Sequence, residues 1–184
     1  MYPVFRLLKE TLKFRGKSLA PFQTHQSQHR CWPWDLDPWR ELNNGRTLTL
    51  YDLGRVPFSA RIGMTAALMA QHWGMTVAGS TVRYRRRIRM FQRFEMRTRL
   101  LGWDGRFFYI EQSIWREGEA LNHVLIRAAV TSDTGIVPPA ALVAAMGYPD
   151  LVSPALPDWV QAWIAADAQR PWPPMSDEKR AGLV

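Results

Sequence analysis

One cysteine, Cys31, stands among 184 residues. An intrachain disulfide and a thiolate metal cage are therefore excluded, and a reducing compartment is the default. Long apolar runs are missing too. No stretch approaches the roughly 20 residues that cross a bilayer, and the first 17 residues lack the compact apolar centre and small-residue cleavage site of a secretory leader. These absences lead to the expectation of a soluble, cytoplasmic protein. The four histidines, His25, His29, His72 and His123, show neither His-x3-His nor His-Glu-x2-His spacing, which argues against a zinc hydrolase. No Gly-x-Ser-x-Gly elbow is present, so a serine hydrolase of the α/β type is disfavoured. Gly16-Lys17-Ser18 looks like part of a phosphate loop, but Thr11 occupies the place of the earlier glycine that such a loop requires.

Acidic residues are also scarce. Sixteen Asp and Glu face 24 Lys and Arg, a net charge of +8 and a pI near 10.2, which suggests an anionic partner: nucleic acid, a membrane surface or a phosphorylated small molecule. Most of the excess is local. From Arg83 to Arg99 there are eight arginines against Glu95 alone. Read as a strand, Arg83, Arg85, Arg87 and Arg89 project to one face and Val82, Tyr84, Ile88 and Met90 to the other, with Arg86 the exception among apolar neighbours. A solvated strand face is the plain reading. The functional one has some of these guanidiniums holding phosphates, for which a planar, permanently charged fork is suited.

What is present is a 47% hydrophobic complement, enough for one packed core. Val4, Phe5, Leu7, Leu8, Leu12 and Phe14 fall at helical spacing with Arg6, Lys9, Lys13 and Arg15 between them, a basic amphipathic helix that either docks on protein or lies on an anionic membrane. Residues 16–27 read as a polar connector and His29–Trp34 as a short edge strand. Asn43 or Asn44 can cap a helix carrying Leu48, Tyr51, Asp52 and Arg55 on one face; Pro57 is expected to interrupt it and Ser59 to restart it, with Gly74 as the stop. The period then changes to two. Phe94, Met96, Thr98 and Leu100 alternate with charged residues, Asp104-Gly105 marks a hairpin, and Glu117-Gly118-Glu119 turns into the apolar run Leu121–Val130. These are consecutive antiparallel strands, because the turns are too short for parallel crossovers. A short helix over Ala140–Met146 and another carrying Trp159, Trp163 and Ile164 follow, before a proline-rich end in which Trp172 could act as a clamp.

The stretch Trp34–Asn44 joins the edge strand to the long helix. Two carboxylates and two amides gather there, and a helix start offers unpaired N–H groups that polarise a carbonyl oxygen. An isolated Asp-x-Asp more often just caps a turn. Here, however, Asp35-x-Asp37-x5-Asn43-Asn44 is followed by Tyr51-Asp52-Leu53-Gly54-Arg55. That combination resembles the hotdog-fold acyl-CoA thioesterases of the 4-hydroxybenzoyl-CoA thioesterase type. The resemblance implies an α+β chain in which an antiparallel sheet of about five strands wraps a long central helix, with the hotdog domain over residues 28–132, the amphipathic helix and connector at 1–27 and a helical extension at 133–184.

The resemblance further implies that Asp37 attacks the thioester or activates water, and that the amide at Asn44 polarises the carbonyl. Asn43, Glu41, Arg55, Tyr84 and Arg86 are the candidate substrate-binding residues, Arg86 toward the phosphates of coenzyme A. Coenzyme A enters only as part of the substrate; no separate cofactor and no metal are expected. A homodimer or homotetramer is implied, since hotdog sites lie between subunits. Relatives commonly carry Gly-His where this chain has Arg40-Glu41, and glycine there signals a backbone shape that a side chain strains. Glu41 is a second base or a partner for Arg40. The rival reading is a non-catalytic acyl-CoA or lipid-binding module in which Arg40 and Glu41 reflect lost catalysis. Nucleic acid is not an expected partner, because the arginine stretch carries no RNA-binding signature.

Overall fold

The computed structural model describes residues 2–174. By their internal contacts the residues fall into two compact units, Met1–Pro154 and Ala155–Val184. The first holds helix α1 (Val4–Lys13), strand β1 (His25–Arg30), a single 3-10 turn (Pro33–Asp35) and helices α2 (Asn44–Arg61) and α3 (Met64–Ala70). It continues with β2 (Gly74–Tyr84), β3 (Arg93–Trp103), β4 (Phe108–Arg116), β5 (Glu119–Ser132), β6 (Gly135–Val137) and helix α4 (Pro139–Ala145). The second unit contributes α5 (Asp158–Ala168), tied near its end by an Arg170–Asp167 ion pair of 3.0 Å. Trp172 is exposed, so it clamps nothing, and residues 175–184 lie outside the described residues. No described helix is long and apolar enough to cross a membrane.

Five strands run antiparallel in the order β1-β3-β4-β5-β2, with β6 added to β5. The β3–β4–β5 meander follows from the two turn signals, and its alternate residues Phe94, Met96, Leu100, Ile110, Ile114, Val124 and Ile126 bury one face of the sheet. Against that face lies α2, with Leu50, Tyr51, Leu53 and Phe58 fully buried. Gly54 lets the helix come this close: an added Cβ would stand 2.6 Å from Met96 Sδ and 2.8 Å from Thr98 Oγ1. A sheet curled round a long helix is the hotdog architecture.

Two local expectations are corrected. Pro57 does not interrupt α2, which runs on to Arg61, because burial of Leu53, Pro57 and Phe58 against the sheet outweighs the missing N–H. The break falls at Gly63, where φ of +85° is left-handed, and the next helix starts at Met64 rather than Ser59. The edge strand is His25–Arg30, not His29–Trp34. Its buried positions are His25, Ser27 and His29, so the alternation that marks a strand is written in polar residues and reads as a connector.

Those buried histidines lead to the expectation of an acid-sensitive fold. His25 Nδ1 meets Arg61 Nη1 at 2.9 Å and His29 Nε2 meets Ser27 Oγ at 2.8 Å. Burial, aided by Arg61 and Lys13, lowers His25 to about 4; burial, aided by Arg6 and other cations, lowers His29 to about 3. Both stay neutral in the folded chain while the unfolded chain takes up protons near pH 6.5, so their stability contribution is full above that pH and is lost as pH falls toward 4 and 3. Glu10 acts oppositely, since burial raises its carboxyl and its contribution fades as pH rises through that raised value. Denaturant unfolding is expected to show stability declining from pH 6.5 to 4, and His29→Gln, which cannot protonate, to flatten the decline.

Candidate active site

Helix α2 begins cleanly. Asn43 is extended, its side-chain oxygen accepts the Arg46 N–H at 3.0 Å, and its carbonyl accepts the Thr47 N–H at 2.8 Å. The N–H groups of Asn44 and Gly45 have no acceptor among the described residues. Two free amides at the start of an 18-residue helix are a ready site for a developing negative charge.

Asp35 fixes where that start lies. Its fully buried carboxylate accepts Arg6 Nη1 at 2.7 Å, Arg46 Nε at 2.7 Å and the Trp32 N–H at 3.0 Å, and its carbonyl takes the Asn43 N–H at 3.0 Å. Asp37 sits in the next turn. Its Oδ1 accepts the Trp39 amide at 2.9 Å and the Glu41 amide at 3.3 Å, while Oδ2 has no donor among the described residues. The loop closes as a small hairpin, with the Asp37 N–H donating to the Glu41 carbonyl at 2.8 Å and Leu36 bridging Leu42. Arg40 holds it at φ +61°, the left-handed shape expected of the glycine in relatives.

Arg40 itself is exposed and Glu41 pairs elsewhere, with Arg87 at 2.8 Å, a close contact but too poorly aligned to count as a hydrogen bond. Asp37 thus takes its two bonds from backbone amides and none from the Arg40 guanidinium. The arginine stretch is not one strand. β2 ends at Tyr84; Arg85 and Arg86 both turn their N–H to the single Leu121 carbonyl, at 2.9 and 3.0 Å, and the chain crosses to the Asp37 loop, where the Leu42 N–H donates to Ile88 at 2.8 Å. Strand alternation therefore fails beyond Tyr84, and the departure carries three successive arginines to the α2 start.

A cavity of about 210 Å³ results, lined by Glu41, Asn44, Tyr84, Arg85, Arg86, Arg87 and Asn122 among others. Four of the seven residues expected from the sequence, Glu41, Asn44, Tyr84 and Arg86, meet here. Tyr84 lies over the helix start and donates its hydroxyl to the Asn44 carbonyl at 3.2 Å. Arg86 is not among apolar neighbours; it pairs with Glu119 at 2.7 Å and is exposed. Asn43 serves as the cap just outside, and Asp37 is not among the lining residues. Arg55 points from α2 toward the sheet, bonded to Asp52 and, at 3.0 Å, to the Gln112 side-chain oxygen. Larger hollows exist, about 430 Å³ beside Arg97 and Trp115, 630 Å³ beside the end of α1 and 410 Å³ along Asp35, Asn43 and Arg46, but none of them is lined by Asn44.

Of the other polar lining residues, Arg85 and Arg87 belong to the arginine stretch considered for phosphates without being singled out, and Asn122 was not anticipated. Asn122 is buried, with Oδ1 held by the Tyr51 hydroxyl, whose proton burial keeps in place by raising its pKa well above the ordinary value. The available signal was weak, since Asn122 is one of three polar residues, with His123 and Arg127, in the run Leu121–Val130. Among the described residues no cluster of three or more His, Cys, Asp or Glu is placed to hold a metal. Cys31 is buried and its thiol pushed up to about 11, chiefly by burial, so it is no ready nucleophile.

A wrapped sheet with free amides at the head of its central helix defines a thioesterase-type hotdog protein. Residues 31–164 match the thioesterase-like superfamily, and the chain belongs to that family. It is 36% identical over 134 residues to protein THEM6 of Xenopus laevis, covering 72% of this chain and 63% of that protein. It is 30% identical over 138 residues to protein THEM6 of Drosophila melanogaster, covering 74% and 69%. Among solved structures, the probable thioesterase YbaW from Escherichia coli aligns with a TM-score of 0.60 at 18% identity, over 68% of this chain and 97% of that one. A 1,4-dihydroxy-2-naphthoyl-CoA thioesterase from Synechocystis aligns at 0.58 and 8% identity, over 70% and 98%. At such identities the structures share the fold.

Left-handed strain at a non-glycine residue costs about 1–2 kcal/mol. Arg40→Gly is accordingly expected to raise the unfolding free energy by up to about 1 kcal/mol after the greater chain entropy of glycine is discounted. A denaturant midpoint at or below that of the wild type would show the loop to be unstrained.

Proposed function

We propose that the protein hydrolyses an acyl-CoA thioester at the start of α2. The observation that carries this reading is the free amide of Asn44, with that of Gly45 next to it in the helix start, at a cavity that Asn44 lines together with three arginines. The thioester carbonyl oxygen accepts from these amides. As the carbonyl carbon becomes tetrahedral, the charge gathering on that oxygen is stabilised by N–H dipoles that need no reorganisation. Asp37 supplies the carboxylate. It either takes a proton from a water that attacks the carbonyl or attacks through Oδ2 itself to form a mixed anhydride that water then hydrolyses; in both routes the C–S bond breaks and the sulfur leaves as the thiolate of coenzyme A, which is then protonated. Arg85, Arg86 and Arg87 are suited to hold the phosphates.

The functional unit in this reading is a homodimer, or a tetramer built from it. β2 is the edge of the sheet opposite β1, its outer N–H and C=O groups unpaired among the described residues over 11 residues, and antiparallel pairing with a second copy covers that edge. Such pairing brings a second chain beside the cavity at Tyr84 and lets the Asp37 loop, which does not line the cavity of its own chain, act at a site shared between copies. A cytoplasmic location suits the free cysteine and the coenzyme A substrate.

Asp37→Asn keeps the loop's two amide bonds and removes the charge, so turnover of acyl-CoA in a free-thiol assay is expected to fall at least about 100-fold with fold and mass unchanged. Undiminished turnover removes Asp37 from the mechanism; absence of turnover in the wild type on a panel of acyl chains favours the non-catalytic acyl-CoA binder. Arg86→Ala is expected to raise KM for CoA thioesters several-fold and to leave a pantetheine thioester, which lacks the nucleotide, nearly unaffected. Equal losses on both would make Arg86 a structural partner of Glu119.

A further inference from the structure

Helix α1 docks the wrong way round for an ordinary amphipathic helix. Its inward side carries polar anchors beside a single apolar one: Arg6 reaches Asp35, Glu10 is buried, Leu7 packs on the core, and Tyr2, just before the helix, donates to Asp52 at 2.8 Å. The apolar stripe faces out, with Phe5 89%, Leu8 54% and Leu12 55% exposed at positions i, i+3 and i+7. Cations border it. Lys9 and Lys13 are exposed along one side of the stripe and Arg15 and Lys17 follow beyond its end, whereas the only carboxylate of the helix is the buried Glu10. Near the helix start the exposed Trp34 and Tyr2 line one shallow hollow.

We infer that this face of α1 is a docking surface for an anionic lipid bilayer, on which the helix lies flat with Phe5, Leu8 and Leu12 in the acyl boundary and the lysines among the phosphates. An apolar stripe rimmed by cations and carrying aromatic residues at one end is the pattern of interfacial helices. Leu12 also belongs to the 630 Å³ hollow, where Phe14, Pro57 and Ala60 form an apolar floor under Arg15, Lys17 and Arg61, so the surface continues past the helix with the same chemistry. A second copy fits poorly. A two-fold contact through this face sets Lys9, Lys13 and Arg15 against themselves, and like charges opposed in an interface repel. Nucleic acid would satisfy the cations and leave the stripe in water.

The inference stands on α1 and is independent of the thioesterase reading. Its test is co-sedimentation of the full chain with vesicles of phosphatidylcholine alone or mixed with equal phosphatidylglycerol. The wild type is expected to pellet with the anionic vesicles, less so as salt rises; the double substitution Phe5→Ser, Leu8→Ser is expected to lose this at least about tenfold, and Lys9→Glu to lose part of it. The substituted side chains are exposed, so circular dichroism and any thioester turnover are expected to be unchanged. No binding of the wild type to anionic vesicles overturns the inference, as does undiminished binding of the double variant. A fall in its mass by light scattering also overturns it, by making the stripe a contact between copies.

Discussion

The carboxylate of Asp35, buried between Arg6 and Arg46, is the contact on which the arrangement of the site depends. It joins three segments that are separate in sequence: α1 through Arg6, the turn before the Asp37 loop through the Trp32 amide, and α2 through Arg46. Buried charge is costly and is tolerated only when its oxygens are well bonded; here three donors meet one carboxylate. Taking the carboxylate away leaves two guanidiniums sharing a site with little water. The same residue's carbonyl receives the Asn43 N–H, so this ionic knot also fixes where α2 starts and which amides remain free.

A second polar layer lies between α2 and the sheet. Arg55 holds Asp52 and Gln112, and Gln112 in turn donates to the Tyr51 carbonyl and to Thr98 Oγ1, both at 2.9 Å. Gly54 brings the helix near enough for these bonds to form. The Asp52-Leu53-Gly54-Arg55 motif is thereby accounted for in structural terms: a close approach, an ion pair and a bonded glutamine, all of which hold the helix whose first turn we propose as the site of chemistry.

The meander and the long helix were legible because their physics is local: alternation of period two, Asp-Gly and Glu-Gly turns, and an Asn cap. The edge strand was not, since it buries His25, Ser27 and His29 where a strand normally buries apolar residues. Continuity of α2 through Pro57 was illegible for a related reason, as a helix penalty was overridden by burial that only the sheet supplies. At the site, the Asp37–Asn44 spacing could be read, and the left-handed backbone at Arg40 fits the glycine that the resemblance led one to expect there. The Asp35–Arg6 bond could not be read, because its partners stand 29 positions apart with no pattern linking them. Nor could the gathering of Arg85, Arg86 and Arg87, which results from the chain leaving β2 rather than from strand alternation.

The central claim is that the free amides of Asn44 and Gly45 receive the thioester oxygen. A crystal structure of the protein with a non-hydrolysable acyl-CoA analogue addresses it directly. The account requires the analogue's carbonyl oxygen within hydrogen-bonding distance of one or both amides, with coenzyme A phosphates against Arg85–Arg87. An analogue bound with its carbonyl elsewhere, such as the hollow beside Arg97 and Trp115, would contradict it.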